Sequence, residues 1–324
     1  MIVIAHRGAS GERPEHTMSA YQLAIAQGAD SIEPDLVMSK DGVLICRHEN
    51  EISATTDVAE RPEFAARKTA KTVDGRTLEG WFAEDFTLAE LKTLRARERL
   101  PELRLQSAAH DGEEGVVTFA ELLELALAAG IRLHPEIKHA SYLRALGLDP
   151  LAALTEAVQA AGGQSVADRL FLECFEIWPL REAAASALLK WNCVQLAAAR
   201  HGPLDQPGVA YADMLTDEGL ARVAEYAGAI SVEKPLILPR DGDNRSLPPT
   251  NICARAHRAG LKVLAWTFRA ENKFLPAELR RGDSSAPDFE RQHGDLGAEL
   301  RAAYAAGVDG VFCDFPGLAV AARG

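Results

Sequence analysis

The chain has 324 residues, 47% of them hydrophobic and 25% charged, which is enough apolar content for a sizeable core in a soluble globular protein. Its formal net charge of -12 and pI of about 5.3 argue against nucleic acid or an anionic membrane as the main partner. A small anionic substrate stays compatible with a locally positive site.

No apolar run reaches the length of about 18 residues that a membrane span needs, so none is expected. The opening MIVIAHRG has no basic region followed by a long apolar stretch. The five cysteines, Cys46, Cys174, Cys193, Cys253 and Cys313, are odd in number, widely spaced and form no CxxC pair. A reduced, cytoplasmic setting is the simpler reading, with a periplasmic or secreted one if a leader has been removed.

In chain order, short β-like runs fall at 2–5, 31–38, 131–137, 169–174, 189–196, 230–236, 261–266 and 310–313. Most are near-continuous apolar runs, as parallel strands buried on both faces require. Helical patterns lie between them at 16–27, 119–129, 151–161, 216–227, 251–259 and 296–306. Gly28, Gly130, Gly260 and Gly307 close four of these helices, and a strand follows each glycine. Eight such strands with intervening helices predict an α/β fold, a TIM (β/α)8 barrel in one domain spanning 1–324; an open doubly wound sheet is the alternative. Three stretches exceed the bare repeat. Residues 42–48 read as an extra strand after the Lys40-Asp41-Gly42 turn, 49–115 as a long charged insertion after the second strand, and 271–295 as a second polar insertion.

The ends of the first strands carry the chemistry. The first ends in His6-Arg7-Gly8, the second holds Glu33 and Asp35 around Pro34, the hairpin after it ends in His48, and the third reaches Glu136 with Lys138 two residues on. Residues i and i+2 of a strand share a face, so Glu33 with Asp35, and Glu136 with Lys138, aim at common points. In a barrel those points converge at the C-terminal mouth. Three converging carboxylates repel one another unless a cation sits among them, and an all-oxygen set favours Ca²⁺ or Mg²⁺. His6 and His48 are candidate proton carriers, Arg7 offers a fork for phosphate oxygens, and Lys138 adds a point charge. This set suits phosphoryl transfer, where positioning and charge neutralisation dominate. His16, His110, His134, His139, His201, His257 and His293 have no companion pattern and read as structural, and the HENE stretch from His48 reads as a solvated charge run.

The strings HRGASGERPEHT, IEPDLVMSKDGVLICRHE and HPEIKH resemble the glycerophosphodiester phosphodiesterase family, and FLECFE, VLAWTFRAEN and DGVFCDFPG are similar to its later strand ends. The likeness runs from His6 to about Phe315 and is nearest to longer members with a large insertion after the DGVL hairpin. It implies a TIM barrel that cleaves glycerophosphodiesters to glycerol 3-phosphate and an alcohol. By the same likeness Glu33, Asp35 and Glu136 hold one divalent cation, Ca²⁺ or Mg²⁺. His6 and His48 form the general acid/base pair, Arg7 grips the phosphate, and Lys138, Glu176 and Trp266 line the pocket. Glu173 and Cys174 stand where the family often has Gln-Ser, so Glu173 is expected either to touch the metal or to alter headgroup preference. Two rivals stay open: a phosphodiesterase of the same superfamily acting on lysophospholipids, and a catalytically silent barrel used as a binding protein.

Overall fold

A computed structural model describes residues 1–323. Thirteen strands occur among them: β1 Ile2–His6, β2 Ser31–Glu33, β3 Asp35–Met38, β4 Leu44–Cys46, β5 Thr69–Val73, β6 Arg76–Gly80, β7 Arg132–Leu133, β8 Glu136–Ile137, β9 Phe171–Cys174, β10 Asn192–Ala197, β11 Ala229–Glu233, β12 Lys262–Phe268 and β13 Gly310–Cys313. β1 pairs in parallel with both β2 and β13, and the remaining parallel pairings run round through β7/β8, β9, β10, β11 and β12. The sheet therefore closes on itself as a (β/α)8 barrel rather than an open doubly wound sheet.

The strands expected unbroken at 31–38 and 131–137 are each two pieces. Pro34 and Pro135 cause the breaks, because proline has no N–H to give to the ladder. The halves still run on in line: the His134 N–H donates to Ile32 O at 2.8 Å and the Glu136 N–H to Pro34 O at 2.9 Å.

Helix positions follow the sequence signals closely. Thr17 caps the helix Met18–Ala26 by accepting from the Ala20 N–H. Thr118 and Glu121 form a capping box at the start of Phe119–Ala129, and Gly130 ends that helix at φ 72°. Beyond the short helices Ala140–Ala145, Gln164–Ala167 and Tyr211–Met214, two longer helices on the barrel lie outside the expected set. Ile177–Ala184 carries Pro179 in its first turn, which hid the period, and Pro316–Ala322 is built almost wholly of small apolar residues. Its proline at the first helical position was the available signal.

Ile4, Val194, Ala229, Leu264 and Phe312 pack inside the barrel, and the larger core fills the layer between strands and helices. All five cysteines are buried and free. Among the described residues no helix is long and apolar enough to cross a membrane.

The insertion at 49–115 is structured. It contains the hairpin β5–β6, turned by Asp74 and Gly75 at φ 50° and 75°, and the short helices Leu88–Leu91 and Leu105–Ala108. It packs on the outer face of the antiparallel β3–β4 hairpin. Val37 and Ile45 of that hairpin join Ile52, Val58, Phe64, Trp81, Phe86, Leu91 and Leu94 in a separate apolar cluster. The Trp81 indole N–H donates to Phe64 O at 2.7 Å, and the Phe64 and Phe86 rings meet edge to face at 5.1 Å.

Phe86 is fully buried at the centre of this cluster. Phe86→Ala is expected to lower the unfolding free energy by about 3–5 kcal/mol, the usual cost of removing a core aromatic. Urea denaturation checks it, and a change near zero would mean that the cluster does not hold the insertion in place.

Candidate active site

The C-terminal ends of the strands open into a cavity of about 1210 Å³. His6, Arg7, Glu33, His48, Glu136, Lys138, Glu173, Glu176 and Trp266 all line it. Asp35, the remaining candidate, lies just beneath, paired across the ladder with Glu136. One oxygen each from Glu33, Asp35 and Glu136 can be chosen so that all three lie within 4.8 Å of one another, and all three residues are buried.

Two cations partly offset this cluster. Lys138 Nζ donates to Glu136 Oε1 at 2.7 Å and lies 3.7 Å from Asp35 Oδ1. Arg7 Nε lies 3.0 Å from Asp35 Oδ2 but off the line of its N–H bond, so the contact is ionic rather than a hydrogen bond. Three carboxylates against two cations leave one negative charge in excess. Moreover, Glu33 Oε1 is buried with no hydrogen-bond partner. A buried carboxylate oxygen without a donor is costly. The donor set, all oxygen and short of one positive charge, fits a hard divalent cation.

The electrostatics reflect the crowding. Burial and then the charge on Asp35 push Glu33 well above the usual carboxylate range, against the pull of Arg7. Burial pushes Glu136 up to about 7, with Asp35 adding to the rise and Lys138 opposing it. Burial acts the same way on Asp35, but His48, Arg7, Lys138 and the hydrogen bond from His16 overcome it and hold Asp35 well below the ordinary range. The three acids thus divide into one firmly ionised group and two that resist ionisation beside it.

Both candidate proton carriers are tied through Nδ1. His6 Nδ1 meets Asp314 Oδ1 at 2.6 Å, and His48 Nδ1 meets Glu49 Oε1 at 2.5 Å. Burial and the nearby Arg7 lower His6 to about 4, with Asp314 opposing. Burial, Arg7 and Lys138 lower His48 to about 3, with Asp35 and Glu49 opposing. Lys138 Nζ also lies 3.2 Å from His48 Nε2. An ammonium group can only donate, so this contact requires Nε2 to offer its lone pair.

Several expectations shift in detail. Arg7 is not a free fork: NH1 is held by Glu15 Oε2 at 3.1 Å and Nε faces Asp35. Glu176 lines the cavity, yet its carboxylate accepts from the Ser141 N–H at 3.0 Å and from the Ser141 hydroxyl. Trp266 is half-buried, and its indole N–H has no partner. Glu173 bonds to His134 Nδ1 at 2.7 Å. Burial raises Glu173 well above its ordinary range and lowers His134 to about 3, so the two form a neutral hydrogen bond rather than an ion pair.

The HENE stretch is not a solvated run. Asn50 is fully buried and donates to Glu84, while Glu51 accepts from the Trp81 N–H at 3.1 Å. His16, read as structural, belongs beside the site: fully buried, it joins Asp35 Oδ2 at 3.0 Å to the Tyr21 hydroxyl at 2.8 Å. His16 and Glu15 both lay in the RPEHT string, and Asp314 in DGVFCDFPG, so a signal existed for each. Arg99 and Arg104, from the insertion, had none.

The pattern of the glycerophosphoryl diester phosphodiesterase family matches residues 6–318. The chain belongs to this family. A glycerophosphodiester phosphodiesterase of Arabidopsis thaliana is 32% identical, over 97% of this chain and 83% of that protein. One of Treponema pallidum is 28% identical, over 74% of this chain and 72% of its own length. Among solved structures, a family protein from Silicibacter pomeroyi superposes with a TM-score of 0.69 at 22% identity, covering 99% of this chain and 92% of that one. A phosphodiesterase from Oleispira antarctica, solved with its product sn-glycerol-3-phosphate, gives a TM-score of 0.65 at 21% identity, covering 100% of this chain and 96% of that one. These likenesses place the phosphodiesterase family's barrel over the whole chain.

The charge crowding in this family site has a measurable signature. Glu136 titrates at about 7 in the folded protein against an ordinary 4.5. The folded state therefore holds this proton more tightly than the unfolded chain. Its contribution to stability is present at low pH and falls by roughly 1 kcal/mol per unit as pH rises from about 4.5 to 7. Glu136→Gln cannot titrate. In EDTA, the unfolding free energy of the wild type minus that of Glu136→Gln is expected to decrease between pH 5 and pH 7. Urea titrations at both values check it; a flat difference would mean that Glu136 is not raised in the folded protein.

Proposed function

We propose that this chain hydrolyses glycerophosphodiesters to glycerol 3-phosphate and an alcohol, using a divalent cation, Ca²⁺ or Mg²⁺, and a pair of histidines. The observation that carries the reading is the buried Glu33, Asp35 and Glu136 cluster at the mouth of the same cavity that His6 and His48 line. The family match over residues 6–318 supports it, as does the relative solved with sn-glycerol-3-phosphate.

Glu33, Asp35 and Glu136 would hold the cation. When bound, it supplies the missing positive charge and stabilises charge on a nonbridging phosphate oxygen. Lys138 and Arg7 hold Asp35 ionised, oppose the rise of Glu136 and Glu33, and add positive potential for the phosphate, Arg7 from a position fixed by Glu15. His48 Nε2, already an acceptor towards Lys138, is suited to take the proton from the attacking oxygen, either water or the neighbouring glycerol hydroxyl. That oxygen bonds to phosphorus, the bond from phosphorus to the headgroup oxygen breaks, and His6, having taken a proton from solvent on Nε2 beside the Nδ1–H that faces Asp314, gives that Nε2 proton to the departing alcohol; where the glycerol hydroxyl attacks, water then opens the cyclic phosphate to glycerol 3-phosphate. Trp266, with its unpartnered indole N–H, and Phe175, 5.7 Å away edge to face, offer a half-apolar wall for the organic part of the substrate.

A release assay on glycerophosphocholine tests the reading. His6→Ala and His48→Ala are each expected to lower kcat by about 10²–10⁴-fold while leaving the fold intact by circular dichroism. EDTA is expected to abolish turnover, and added Ca²⁺ or Mg²⁺ to restore it. Full turnover in EDTA would remove the cation from the reaction, and a near-native rate in either alanine variant would remove that histidine.

A further inference from the structure

Two arginines of the insertion end on the carboxylates that hold the two imidazoles. Arg104 NH2 donates to Asp314 Oδ2 at 2.5 Å, Arg269 Nε of the barrel donates to the same oxygen at 2.8 Å, and Asp314 Oδ1 meets His6 Nδ1. Arg99 NH1 and NH2 reach Glu49 at 2.9 and 2.6 Å, and Glu49 meets His48 Nδ1. The two struts come from positions five residues apart on one segment of 49–115, yet they serve opposite ends of the acid/base pair.

Each arginine is itself anchored. Arg104 Nε binds Glu271 at 2.6 Å and its NH1 binds Ser10 O at 2.9 Å, while the Ser10 hydroxyl donates to His6 O at 2.7 Å. Arg99 also binds Glu15 through Nε and NH2, both at 2.7 Å, and Glu15 holds Arg7. The His6 strut is dry: the Arg104, Glu271 and Asp314 side chains are at most 6% exposed. The His48 strut is wetter, with Arg99 26% and Glu49 33% exposed.

We propose that Arg104 and Arg99 are positioning residues. Through Asp314 and Glu49 they hold His6 and His48 in the tautomer with the proton on Nδ1, so that both present Nε2 to the substrate. An ionised carboxylate can only accept, so while it faces Nδ1 that nitrogen must donate, and a neutral ring then keeps its lone pair on Nε2. The Lys138 contact to His48 Nε2 requires the same tautomer from the other side of the ring. The arginine's task is to keep the carboxylate ionised and aimed, the role that the buried aspartate plays towards histidine in a serine protease triad. On this account the insertion is part of the catalytic support and not only a cover over the barrel mouth.

The idea rests on the phosphodiesterase reading, and its test separates the two. The first readout needs no turnover: long-range ¹H–¹⁵N spectra of ¹⁵N-histidine-labelled protein report the tautomer of each ring. Wild type is expected to show His6 and His48 protonated at Nδ1. Arg99→Met is expected to loosen the bond from His48 Nδ1 to Glu49, read as an upfield shift of the His48 Nδ1 proton, and leave His6 unchanged; Asp314→Asn, whose amide can donate to Nδ1, is expected to move His6 to the Nε2-protonated form. The second readout is kinetic: Arg99→Met and Arg104→Met each lower kcat 10- to 100-fold with KM within about twofold, and Arg99→Lys recovers most of the loss. Should Arg104→Met fail to fold, Arg99→Met and Asp314→Asn decide alone. An unchanged His48 Nδ1 proton in Arg99→Met together with an unchanged His6 tautomer in Asp314→Asn would overturn the proposal, as would a rise in KM at constant kcat, which would make these arginines substrate contacts. If wild type showed the expected tautomers but no turnover of glycerophosphocholine, the substrate reading would fail and the struts would stand.

Discussion

Three carboxylates within 4.8 Å of one another in a buried pocket set the terms for everything around them. At that spacing their repulsion in a poorly solvated site is worth several kcal/mol unless it is offset. Lys138 and Arg7 offset part of it, and each is shared: Lys138 also faces His48, and Arg7 also faces Glu15. The lone oxygen of Glu33 marks what the protein alone leaves uncompensated. Burial first, and the neighbouring charge after it, raises Glu33 and Glu136, while the groups facing Asp35 hold it low.

Around that centre the charges alternate outwards. From Asp35 the contacts pass to Arg7, then Glu15, then Arg99, then Glu49 and finally His48. Each group has partners of opposite sign, so no member of the chain is buried alone. Such a network orients side chains more firmly than any one pair does, because moving one member uncovers the next. The insertion supplies Arg99 and Arg104, the outermost cations, and its own apolar cluster pins them by packing on β3 and β4. Stability of that small core and geometry at the imidazoles are therefore linked through the peptide segment between them.

The strand-end motif was legible because its spacing is local. Glu33 and Asp35, and Glu136 and Lys138, are two apart, and the pleat alone puts each pair on one face. The barrel repeat was legible from glycine-stopped helices followed by apolar runs. What could not be read were partners distant in sequence: Arg104 meets Asp314 across 210 positions and Arg99 meets Glu15 across 84. Nothing in the composition of a charged insertion tells which of its arginines turn inward. His16 and Asn50 were misjudged for a related reason. A single polar residue in a polar string looks solvated until the fold buries it, and both are fully buried. Helix Ile177–Ala184 was hidden by its own Pro179, which is tolerated in a first turn.

The prolines that split the second and third barrel strands have a mechanical side. Pro34 stands between Glu33 and Asp35, and Pro135 directly before Glu136, so two adjoining staves of the barrel each lack one amide donor beside the crowded acids. The wall is stitched most sparsely where like charge pushes it apart. The proposed cation, gripping Glu33 and Asp35 on either side of the first break and Glu136 just past the second, would serve as the absent rivet: loading the site and stiffening the rim become a single event.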